Sequence, residues 1–200
     1  VYKRQLLVFT FYWIYLIISS IMSVSPNIDI YISNSRIRGN LCRWKKPVVN
    51  VYVSPISAAI TNKENMYSLI DNAIMAWNNI LKETFIHLQF QKTQTPQNAD
   101  IVINWVKVGR VDEGMCKYLS VIHDEIKKIS IEIGLPNEYS GKDTTELSIY
   151  CAILHEFGHA LGLGHGIDVN DIMFVPHQKN ISTPSENDII VLKKLYQAGY

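Results

Sequence analysis

Between residues 66 and 81 the apolar side chains Met66, Leu69, Ile70, Ala73, Ile74, Trp77, Ile80 and Leu81 recur at intervals of three and four. That spacing predicts a long amphipathic helix with one buried stripe. Thr61 and Glu64 ahead of it have the spacing of a capping box. Elsewhere the period falls to two, or β-branched residues run together. Val48 to Val53, closed by Ser54-Pro55, predicts a first strand. Residues 85–91 alternate apolar and polar positions, and residues 100–105 form another β-branched run after a turn-prone stretch at 94–98. Residues 115–122 and 129–135 supply a fourth and fifth strand, separated by a charged connection at 123–128. Asp143 with Glu146 repeats the capping spacing before a second helix. Thr183-Pro184-Ser185-Glu186 does so before a third, whose apolar residues are Ile189, Ile190, Leu192, Leu195 and Tyr196. The order is that of a mixed α/β domain without internal repeats.

The first 25 residues follow another pattern. Lys3 and Arg4 precede an apolar run at 6–18, and Ser19, Ser20, Ser23 and Ser25 follow, the order of a secretory signal. Continued through Ile21, Met22 and Val24, the run approaches the ~17–25 residues of a spanning helix. A cleaved signal and a retained membrane tether through residues 6–24 are both open, and either one puts the domain outside the cytoplasm. Residues 26–42, polar and with Gly39-Asn40 near the end, are expected as an exposed linker, leaving a folded domain at 43–200.

Composition narrows the picture. An apolar fraction of 48% in 200 residues supports one buried core. With 19 Lys plus Arg against 18 Asp plus Glu there is no basic field to gather nucleic acid, and no nucleic-acid partner is expected. Cys42, Cys116 and Cys151 are too sparse for a disulfide scaffold. Export would permit a Cys42–Cys116 bridge, and three small buried hydrophobes would account for them equally well.

The chemistry concentrates in His155-Glu156-Phe157-Gly158-His159 on the second predicted helix. Four residues are slightly more than one turn, so the two imidazoles project from one face and can share one ion. Leu147, Tyr150, Cys151, Leu154, Gly158 and Leu161 form a core-facing stripe beside them. Catalytic zinc takes three protein ligands and leaves a position for water, so a third ligand is required. His165 supplies it only if the chain reverses, and Gly162 can take the positive φ that ends a helix and turns it back. Glu156 projects beside the metal, where it can accept a proton from water that zinc activates.

The string from His155 to His165, followed by Met173 in Asp171-Ile172-Met173-Phe174, resembles the metzincin zinc peptidases and within them the matrixin branch. Residues 43–46, Ala76-Trp77-Asn78, residues 99–103 and residues 185–189 look like further matrixin landmarks, so the resemblance covers about residues 43 to 197. It implies a zincin domain with a twisted, mostly parallel five-stranded sheet, one antiparallel edge strand and three helices. It implies also an apolar floor under the imidazoles at Met173, a polypeptide substrate extended along residues 115–121, and a pocket wall of Phe174, Val175 and Pro176 with an apolar preference.

The resemblance is uneven. The family's structural zinc and calcium ligands have no matching pattern in residues 106–128, where only His123, Asp112, Asp124 and Glu125 stand, so one catalytic Zn²⁺ is expected and calcium is not evident. Gly166 replaces the Ser or Thr that commonly follows the third histidine, and Val175 stands where the astacin and serralysin branches carry a metal-binding tyrosine. The expected function is zinc-dependent endopeptidase activity by a monomer. The alternative is a catalytically silent metal-binding protein of the same fold.

Overall fold

A computed structural model describes residues 26–56, 63–107, 113–135 and 145–197. The leader lies outside them, as do Thr61 and Asp143, two of the expected capping residues.

The chain runs α1 (Pro26–Asn34), β1 (Arg36–Ile37), β2 (Asn40–Leu41), β3 (Val48–Val53), α2 (Lys63–Glu83), β4 (Gln89–Lys92), β5 (Ile101–Lys107), β6 (Gly114–Ile122), β7 (Glu125–Leu135), α3 (Glu146–Ala160) and α4 (Glu186–Gln197). Five strands form one sheet in the order β4-β3-β5-β7-β6. The pairs β3/β4, β3/β5 and β5/β7 are parallel, and β6 closes one edge antiparallel to β7. The expected fold is therefore present. Alternate residues Val49 and Val51, Ile101 and Ile103, and Ile129, Ile131 and Ile133 are fully buried, the period-two signature of a sheet face turned to the core.

Against this sheet lie α2 and α3. The predicted stripe of α2 is the buried one, with Ile70, Ala73, Trp77 and Leu81 at 0% exposure. Trp77 spans the layer: its indole N–H donates to the Leu154 carbonyl of α3 at 3.0 Å. Phe90 of β4 meets Phe157 of α3 edge-on at 5.1 Å. Buried residues cover most of the circumference of α3, because sheet, α2 and the segments around it enclose it. Leu147, expected on the core stripe, is 46% exposed because it sits in the first turn, beyond that enclosure.

Several expectations are corrected. Residues 26–42 are not an exposed linker: they form α1 and a two-stranded hairpin, and Tyr31 of α1 is 0% exposed. A fourth helix thus joins the three expected, anchored by Ile28 and Tyr31, which are apolar enough to pack although the segment as a whole reads polar. The connection from β6 to β7 is only His123-Asp124, both at positive φ, and residues 125–128 belong to the strand. A two-residue turn of that hand matches strand twist, and Asp tolerates it. The α3 cap is Thr145, whose side chain accepts from the Ser148 amide. The α4 box lies two residues later than Thr183 suggests: Ser185 Oγ accepts from the Asp188 amide, and Asp188 Oδ2 accepts from the Ser185 amide. All three cysteines are free thiols, Cys42 and Cys151 buried, so the Cys42–Cys116 bridge is absent. No helix among the described residues is long and apolar enough to cross a membrane.

Candidate metal centre

The second half of α3 carries His155 and His159, and the path of the chain beyond them depends on how that helix stops. Gly162 has φ +98°. The Leu163 amide donates to the Gly158 carbonyl at 3.0 Å and the Gly162 amide to the His159 carbonyl at 2.8 Å, the paired bonds of a Schellman ending. Side chains reach the end carbonyls as well: Trp44 Nε1 donates to Ala160 at 2.7 Å, the Tyr196 hydroxyl to Leu161 at 3.0 Å, and the Tyr118 hydroxyl to His159 beside the Gly162 amide. A buried helix end left without donors would be costly. A Cβ on Gly162 would stand 2.4 Å from the Cys42 carbonyl, so space as well as φ reserves the position for glycine.

The reversal brings His165 back. The rings of His155, His159 and His165 have centroid separations of 4.6, 5.6 and 5.0 Å, and one ligand nitrogen from each lies within 4.8 Å of the others. His155 Nδ1 donates to the Ile172 carbonyl and His159 Nδ1 to the Leu163 carbonyl, each at 2.8 Å. With those protons on Nδ1, both Nε2 atoms carry lone pairs. Yet the two Nε2 atoms are 3.0 Å apart. Two acceptors so placed need a cation between them, and two nitrogens on a tetrahedral zinc stand about 3.3 Å apart at ordinary Zn–N distances. The donor set fits the ion. Burial, with the proximity of His159 adding to it, lowers His155 to about 2, and burial lowers His159 to about 4, so both imidazoles are neutral near pH 7 and free to ligate.

Glu156 is 3% exposed, between the ligands and β6. Burial pushes its carboxyl up to about 8, opposed by a bond from the Cys116 amide. Its Oε2 is buried without a hydrogen-bond partner among the described residues. Met173 lies at 0% exposure against α3. It approaches so closely that a Cβ on Gly158 would be 2.3 Å from its Sδ. A cleft of about 740 Å³ opens beside these residues, lined by Gly114, Met115, Cys116 and Tyr118 of β6, by the three histidines and Glu156, and by Val175 and Pro176. Phe174, half-buried, is not among that lining.

Much of what supports this arrangement escaped the sequence reading. Asp188 is 0% exposed and joins three elements. Its Oδ2 accepts from the amides of Ile172 and Ser185, and its Oδ1 accepts from the Tyr31 hydroxyl of α1 at 2.6 Å. Since Ile172 also holds His155, the line Tyr31–Asp188–Ile172–His155 is continuous. Asp171 accepts from the amides of Ile167 and Asp168 and from the side chains of Ser185 and Asn187, closing the loop after His165. Its carboxylate stands 2.8 Å from where a Gly166 Cβ would be, which explains glycine there. Ser35 Oγ accepts from the Gly164 amide at 2.8 Å and Asn34 Nδ2 donates to the His165 carbonyl at 3.1 Å, so the end of α1 fixes the third ligand's backbone. Asp171 and Asp188 flank Met173 and a Ser-x-x-Asp cap, a signal that was legible; Tyr31, Asn34 and Ser35 carried none.

The family model described as matrixin matches residues 43–197. Human matrix metalloproteinase-25 is 28% identical over 169 residues, covering 76% of this chain. The chain spans 29% of that relative's length.

Proposed function

The chain belongs to the matrixin family, and from that premise we propose that it is a zinc-dependent endopeptidase whose metal is held by His155, His159 and His165 and whose general base is Glu156. One observation carries the reading: two imidazole Nε2 lone pairs face each other at 3.0 Å beside a buried carboxylate oxygen that has no partner. Zinc, when bound, lowers the pKa of water and polarises a peptide carbonyl. The protein supplies the rest. Carbonyls at Ile172 and Leu163 hold His155 and His159 in the tautomer that ligates. The Cys116 amide steadies the Glu156 carboxylate, leaving Oε2 to take a proton from water and deliver it to the departing amine.

The substrate is a polypeptide. It would lie extended along β6, whose outer edge pairs with no strand among the described residues, and gain backbone hydrogen bonds as an added strand does. Val175 and Pro176 would wall the pocket beyond the cleaved bond. A place outside the cytoplasm, secreted or tethered, rests on the order of residues 1–25.

Glu156→Gln tests the chemistry apart from the metal. Zinc content and folding should survive, while cleavage of an unstructured protein should fall by about 10⁴, the upper end for a general base. A variant that keeps its zinc and cleaves within about tenfold of the parent would show that another group is the base. Undetectable cleavage by both proteins would favour the silent metal-binding alternative.

A further inference from the structure

Four residues beyond Met173, His177 reaches back into the cleft from the far side of Pro176. Its ring centroid is 4.0 Å from that of His155, and the ligand atoms of His155, Glu156 and His177 lie within 4.8 Å of one another. Behind it stands Glu113, whose Oε2 is 3.4 Å from His177 Nδ1. Both side chains are mostly covered, at 20% and 23% exposure, and Lys179 Nζ lies 4.0 Å from the other Glu113 oxygen.

A carboxylate beside Nδ1 keeps the proton there and leaves Nε2 with a lone pair, the outer arrangement that orients ligating histidines in metal sites. The Ile172 and Leu163 carbonyls do the same for His155 and His159. The His177 ligand atom lies within 4.8 Å of those of His155 and Glu156 but outside the group that His155 forms with His159 and His165. The imidazole must therefore turn towards the other two histidines to reach the ~3.3 Å separation of ligands on one tetrahedral zinc.

We propose that His177, oriented by Glu113, is a fourth nitrogen donor to the ion held by His155, His159 and His165, capping the site at rest and leaving when substrate enters. This rests on the metal reading above. The cap stands on the Glu156 side of His155, the side where water must be taken up, so the resting and working states exclude each other. Opening needs only that His177 turn away, because its partner Glu113 belongs to the cleft wall and not to the ligand set.

The test counts ligands directly. The full chain loaded with ¹¹³Cd should show proton–cadmium correlations from the imidazoles of His155, His159, His165 and His177, and a peptide hydroxamate should remove those of His177 alone. His177→Ala should lose that one set and weaken zinc retention against a chelator by at least about tenfold. Glu113→Gln, which leaves every imidazole in place, should weaken the His177 correlation and keeps the question answerable if His177→Ala does not fold. Correlations from His155, His159 and His165 only, with cadmium bound, would overturn the cap and leave the proposed function standing. No cadmium bound at all would overturn both.

Discussion

Tyr31→Phe removes one oxygen atom from the junction between α1 and the metal loop. The phenyl ring keeps the packing of a residue at 0% exposure, so the perturbation is confined to the hydroxyl that donates to Asp188 Oδ1 at 2.6 Å. Burial and the neighbouring Asp188 charge hold that hydroxyl protonated, so it is a donor at any working pH. Asp188 is itself at 0% exposure, and the substitution leaves Oδ1 without its donor while Oδ2 keeps the Ile172 and Ser185 amides. A hydrogen bond to a charged group is worth about 1.5–3 kcal/mol. For a domain of this size that is roughly 3–12 °C in Tm. Thermal melts and urea unfolding of the zinc-loaded proteins measure it, with Ile30→Ala as the control, since Ile30 on the same helix is 53% exposed and should cost little. Burial also raises the Asp188 carboxyl, and the Tyr31 bond opposes that rise. The deficit should therefore shrink in acid, where a protonated Asp188 no longer needs the donor. A Tyr31→Phe protein within about 0.5 kcal/mol of the parent, or no worse than Ile30→Ala, would refute the docking of α1 as a structural element.

His165→Ala should weaken zinc retention and abolish cleavage together, and Gly162→Val should do much the same, because its side chain meets the Cys42 carbonyl at a φ of +98°; full activity in either would break the three-histidine site. Metal analysis of the purified chain should give about one zinc, and two equivalents would mean a further site. The metal-free protein should respond to pH in two opposed ways. Glu156, raised to about 8, costs stability progressively as pH rises from its unfolded value towards 8, whereas His155 and His159, lowered to about 2 and about 4, cost stability as pH falls below about 6.5. Chelated Glu156→Gln should therefore gain on the chelated parent as pH rises from 5 to 8, by on the order of a few kcal/mol; parallel melting curves across that range would show that Glu156 is not buried as a titrating carboxyl.

The sequence by itself determined most of the elements and the candidate donor set. The three-four spacing of α2, the β-branched runs of β3 and β5, and the string from His155 to His165 are local, because they express helix period, strand propensity and the reach of one helical turn. Gly162 was legible for the same reason: a third histidine six residues after the second demands a reversal, and few residues other than glycine make one. Tertiary structure decided what local patterns do not encode. The segment at 26–42 reads as polar, yet two apolar side chains in the right phase, Ile28 and Tyr31, dock it once α4 offers a buried carboxylate 157 residues away. Tyr118 and Tyr196 read as strand and helix aromatics and Trp44 as part of a landmark ahead of the first strand, and only the packed chain turns them onto the end carbonyls of α3. His177 carries no motif at all. Its place beside His155 and Glu113 arises from contacts between β6, α3 and the loop after Met173, and a pairing between distant segments leaves no periodic trace in any one of them.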